Sequence, residues 1–153
     1  MLQRIQTVYL LIVVILTSLL FFMPLAVVGL DGKFGDMTVL NLYPVFEDNG
    51  FACESRGIIG IVVAIILLTV ATVFFYKKRP LQVNMLLINI LLKLVFYGVF
   101  AYAYLEHTCD AQNATVNLKL AITFPAVAII LDILAVRRIK ADEALVRSLD
   151  RLR

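Results

Sequence analysis

Two charged residues interrupt windows that otherwise carry no charge: Lys93 within Pro80–Leu105 and Asp132 within Leu120–Val136. An ammonium and a carboxylate so placed can pair, relay a proton or hold an ion, because a charge at membrane depth faces protein or a cavity rather than lipid. Asn89 lies one helical turn before Lys93, on the same helix face. Asn89, Lys93 and Asp132 therefore make a candidate polar line. Counted at about 1.5 Å per residue from the cytoplasmic ends, Lys93 lies about 20 Å deep and Asp132 about 7 Å. A lysine stem can reach over part of that difference. A direct pair and a contact of Asp132 with Arg137 or Arg138 both stay open, and a packing clasp is expected before a relay.

Cys53 and Cys109 are the only cysteines. On an extracytoplasmic face they would meet oxidising conditions, so a disulfide is expected. A redox centre is disfavoured because no Cys-x-x-Cys is present. Glu106, His107, Cys109 and Asp110 with Cys53 are ligand types that suit zinc, but they lack the paired spacing of zinc sites. No metal, no other cofactor and no nucleophile–base pair is expected, and hence no enzyme.

The elements that must position these residues follow from composition. Of 153 residues 62% are hydrophobic and 16% charged, against about 45–50% and about 25% in soluble domains. A soluble globule of this size cannot bury that much apolar surface. No charge falls between Arg4 and Asp31 or between Arg56 and Lys77, and a helix of about 20 apolar residues crosses a bilayer. The expected fold is an all-α membrane protein, a bundle of four transmembrane helices over about 6–30, 57–76, 81–105 and 118–139. The first apolar run is too long for a signal h-region and ends in a poor cleavage site at Ala26-Val27-Val28, so it is expected to be retained as a span. Pro24 is expected to kink its last turn, and Pro125 to bend the fourth span.

Arg4, Lys77, Lys78, Arg79, Arg137, Arg138, Lys140, Arg147, Arg151 and Arg153 fall on one side of such a bundle; Lys33, Arg56 and Lys119 fall on the other. Positive charge marks the cytoplasmic side, so both termini are expected there. Tyr9 and Tyr76 would line the inner interface, and Tyr102 and Tyr104 the outer one. The bases suit lipid headgroups; nucleic acid is not expected, since no aromatic platform accompanies them. In the first outer loop, Met37–Tyr43 has the composition of a short strand between Gly35 and Pro44. Glu106–Lys119 reads as a second outer loop. Past Val136, apolar Ile139, Leu145 or Val146, Leu149 and Leu152 recur among charges, which predicts an amphipathic cytoplasmic helix over 140–153 continuing the fourth span.

Gln3-Arg-Ile-Gln-Thr-x-Tyr9, Leu81-Gln82, Asn89, and the run from Arg138 through Asp142, Glu143, Arg147, Asp150 and Arg151 to Arg153 carry a resemblance over the whole chain. The sequence resembles a four-span inner-membrane family of Bacteroidota-type bacteria catalogued as a domain of unknown function. That resemblance implies four helices in the inner membrane and supplies no activity. It directs attention to Arg4, Gln6, Gln82, Asp142, Glu143, Arg147, Asp150 and Arg151 as contacts for headgroups or a partner, beside Lys77, Lys78, Arg79, Arg137 and Arg138. The expected function is a non-enzymatic accessory subunit among other integral membrane proteins, in protein translocation, secretion or respiration. The alternative is a small oligomeric ion-coupled transporter or channel using Lys93 and Asp132.

Overall fold

In the computed structural model, residues 3–30, 33–40, 56–75, 79–110 and 115–150 are described. Among the described residues four helices form: α1 (Gln3–Leu19), α2 (Arg56–Phe74), α3 (Arg79–Asp110) and α4 (Phe124–Asp150). Three strands accompany them there: β1 (Ala26–Leu30), β2 (Lys33–Met37) and β3 (Thr115–Leu118). Three stretches are helical, long and apolar enough to cross a membrane: Gly57–Phe74, Pro80–Leu105 and Leu120–Asp142. α1 has 17 residues, a shorter apolar helix.

The first apolar run changes structure part-way. Its helix stops at Leu19, and the chain turns through Leu20–Leu25 into β1 instead of continuing as helix to Leu30. The backbone donors explain how an apolar segment can afford this. Leu20, Phe21, Phe22 and Met23 donate to carbonyls of Thr17, Ser18, Leu19 and Leu19, and Leu25 donates to Met37. The one residue left over, Pro24, has no N–H to satisfy. Pro24 thus lies beyond the helix and kinks nothing. β1 is the central strand of the order β2-β1-β3, antiparallel to both neighbours, with Val28 opposite Gly35 and Val116. Strand residues alternate between faces, and Ala26 and Val28 point into the protein, where both are buried.

The expected strand at Met37–Tyr43 is displaced: β2 ends at Met37, residues 38–40 lie outside any strand, and 41–43 lie outside the described residues. The sequence signal for the true position was Asp31-Gly32, the strongest short hairpin cue, flanked by apolar and β-branched residues. Part of Glu106–Lys119, expected as a loop, is regular structure. α3 runs on to Asp110, about 48 Å in all, and Thr115–Leu118 closes the sheet as β3. A 3₁₀ turn at Leu120–Thr123 leads into α4. Pro125 is then in the first turn of α4, where its missing N–H costs no hydrogen bond, so it starts the helix rather than bending it.

The core has two halves. At the sheet end, labelled outer, a cluster joins Leu20, Leu25, Ala26 and Val28 to Ile58, Val62, Phe96 and Phe100, so the sheet caps the helices. At the opposite end, labelled inner, a cluster joins Leu10 to Val83, Leu86, Ala135, Val136 and Ile139. Large apolar side chains such as Leu67, Leu91 and Ile130 cover the outside, the distribution expected where lipid is the solvent.

Candidate functional site

Between the two apolar halves lies a polar layer: Thr69, Asn89, Lys93 and Asp132, each at most 1% exposed. α3 supplies Asn89 and Lys93 one turn apart, between Leu86 below and Phe96 above. α4 supplies Asp132 between the fully buried alanines 128 and 135, whose small side chains let a neighbouring helix approach closely. α2 supplies Thr69.

Lys93 Nζ donates to Asp132 Oδ2 at 2.5 Å. The two side chains therefore meet, and the difference in depth counted from the sequence does not keep them apart. That count took Val136 as the end of the fourth span, whereas α4 continues without a break to Asp150. Arg137 and Arg138 are exposed; at about 100° per residue they lie on other faces of α4 than Asp132. They are not the partners of Asp132.

A second contact ties α3 to α2. Asn89 Nδ2 donates to Thr69 Oγ1 at 2.6 Å, and Thr69 Oγ1 donates to the Ile65 carbonyl at 2.7 Å. About two turns nearer the start of α3, Gln82 Nε2 donates to the Thr72 carbonyl at 3.3 Å, and Thr72 Oγ1 to that of Leu68 at 2.7 Å. Neither threonine was singled out by sequence reasoning. The signal available was a pair of hydroxyls at i and i+3 in an otherwise apolar helix, where an unpaired polar group is costly. Near the outer end, the Tyr97 hydroxyl donates to the Ile122 carbonyl at 2.6 Å and fixes the entry to α4.

Among the described residues, the other candidates do not join this layer. Arg137 and Arg138 are exposed and Asp142 is half-buried and engaged. Arg4, Gln6, Arg79, Glu143, Arg147 and Asp150 lie on helices, their side chains outside the described set; Lys77, Lys78 and Arg151 lie outside it altogether. Cys53, and the side chains of Glu106, His107, Cys109 and Asp110, also lie outside it, so the expected disulfide has no structural support. Among the described residues, no three His, Cys, Asp or Glu side chains come together.

The profile of the family described as Domain of unknown function (DUF4293) matches residues 2–152. The chain belongs to this family. Its matched span takes in all four helices, the sheet and every residue of the polar layer. Neither the curated proteins nor the solved structures give a match.

Proposed function

We propose that this chain is a non-enzymatic accessory or scaffold subunit of a larger bacterial inner-membrane assembly, one that handles protein export or insertion, secretion or respiration. It crosses the membrane four times, with both termini in the cytoplasm. The observation that carries the reading is the closure of Lys93 on Asp132 inside the chain. Charge in the middle of the bundle is neutralised internally, and the sides keep an uncharged surface against which lipid or a neighbouring span can pack.

Heights taken from the two buried contacts support four crossings. With Thr69 level with Asn89 and Lys93 level with Asp132, a rise of 1.5 Å per residue sets Gly57 at about the height of Ala101 and Phe124. The same rise sets Phe74 at about the height of Asn84 and Ala141. Lys93 and Asp132 fall midway between those levels. α1 fills the same slab: Leu10 packs in the inner cluster and Leu20 in the outer one. Its shortness is made good by the turn through Met23, whose donors are all satisfied. Arg137 and Arg138 come about 6 Å or less above the inner level, within reach of snorkelling to headgroups.

The test is purification from gently solubilised membranes after cross-linking. A stoichiometric complex with other membrane subunits is expected; recovery of the chain alone counts against the subunit reading. A second reading, a small ion-coupled transporter or channel, is favoured by the two acceptor oxygens of the polar layer that lack a donor, Asn89 Oδ1 and Asp132 Oδ1. It predicts ion flux in proteoliposomes that disappears in Lys93→Met. A Cys53–Cys109 disulfide between the outer segments belongs to the same topology, and reduction should then release two alkylatable thiols.

A further inference from the structure

Asn89 Oδ1 and Asp132 Oδ1 are buried side-chain acceptors with no donor. We propose that one water molecule is bound among them, donating to both oxygens and accepting from the Lys93 ammonium. The site is the same whether the chain works as a scaffold or as an ion carrier.

The amide of Asn89 is engaged through its nitrogen. Thr69 Oγ1 donates to the Ile65 carbonyl and accepts from Asn89 Nδ2. In that arrangement Asn89 Oδ1 is left an acceptor in need of a donor. Asp132 is held in a similar way: Oδ2 takes the ammonium, which leaves Oδ1 unserved. Both oxygens lie in the same buried layer: Asn89 and Lys93 stand one turn apart on α3, and Lys93 holds Asp132.

The chemistry selects the occupant. Two acceptors call for a donor, and an anion would face two oxygens. A metal cation would add positive charge beside the Lys93 ammonium where charge is most costly. Water is neutral, has two hydrogens to give and typically takes about three partners when buried. Lys93 spends one N–H on Asp132, and an ammonium has three. Two donated bonds and one accepted bond make the full set.

The experiment is water-edited solid-state NMR on the full chain, isotopically labelled, in lipid vesicles. At short transfer times, magnetisation from water should reach the Asn89 side-chain amide and the Asp132 carboxyl several-fold faster than the methyl of Ala128. Ala128 is fully buried one turn away on α4, so it reports a dry core. Equal build-up at Asp132 and Ala128 overturns the proposal. Signals of Lys93 and Asp132 that move when sodium replaces choline identify a cation occupant and overturn it as well. Asn89→Leu should remove the transfer to Asp132; transfer at wild-type strength in that variant means the water is not shared. Should the variant fail to fold, the wild-type measurement still decides.

Discussion

At the scale of single residues, the pair Lys93–Asp132 matters because each partner is intolerable without the other. Removing one member of a buried ion pair leaves an uncompensated charge, which typically costs about 3–5 kcal/mol, whereas replacing both by apolar residues is often close to neutral. Lys93→Met and Asp132→Leu alone should therefore each destabilise the chain by about that amount. The double variant should lose much less than the sum of the two. Thermal unfolding in detergent measures all three, and strict additivity would show that the contact does not hold. Thr69→Val is a milder test: it deprives Asn89 Nδ2 of its acceptor and should cost about 1–2 kcal/mol by the same measurement. Asn89 and Lys93 were legible in the sequence as polar residues on one helix face. Thr69 was not, because a threonine in an apolar helix can satisfy itself on its own backbone, as Thr17 does on the Val13 carbonyl.

At the scale of elements, the informative segment is the passage from α1 to β1. Each of Leu20, Phe21, Phe22, Met23 and Leu25 finds a carbonyl within the protein, as a backbone surrounded by lipid would require. Pro24 needs none. The turn is testable. Leu25→Pro removes the bond to Met37 and should cost about 1–3 kcal/mol through the orphaned carbonyl, read as a lowered midpoint of thermal unfolding. An unchanged midpoint would mean that the turn is not held by that bond. Composition made α2 and the long apolar part of α3 plain, since nothing competes with helix in an uninterrupted apolar run. It hid β1, because Ala26-Val27-Val28-Gly29-Leu30 is as apolar as the helix before it. A short apolar run reads alike as buried strand or as buried helix.

For the whole molecule, the polar layer divides an outer core, capped by the sheet, from an inner core around Leu10, Leu86 and Ile139. Topology is the property to test at this scale. In a cysteine-free background, a membrane-impermeant maleimide should label Leu40→Cys from outside intact spheroplasts. Thr7→Cys and Ala144→Cys should react only after permeabilisation. All three positions are exposed in the structure, so failure to label reports the barrier and not burial. Labelling of Thr7→Cys from outside would mean that α1 does not cross.

The sequence by itself determined the solvent and the sidedness to expect, because those depend on composition and on where charges fall. Its apolar windows foretold α2, α3 and α4, and the match over residues 2–152 agrees with a resemblance carried by residues at both ends. Tertiary structure alone decided that Lys93 meets Asp132, that Asn89 meets Thr69, and that an apolar tail of the first run becomes the central strand of a sheet. The physical reason is common to all three. Each depends on the relative height of separate elements and on where a backbone finds its hydrogen-bond partners, quantities that packing sets and that no local pattern of residues encodes.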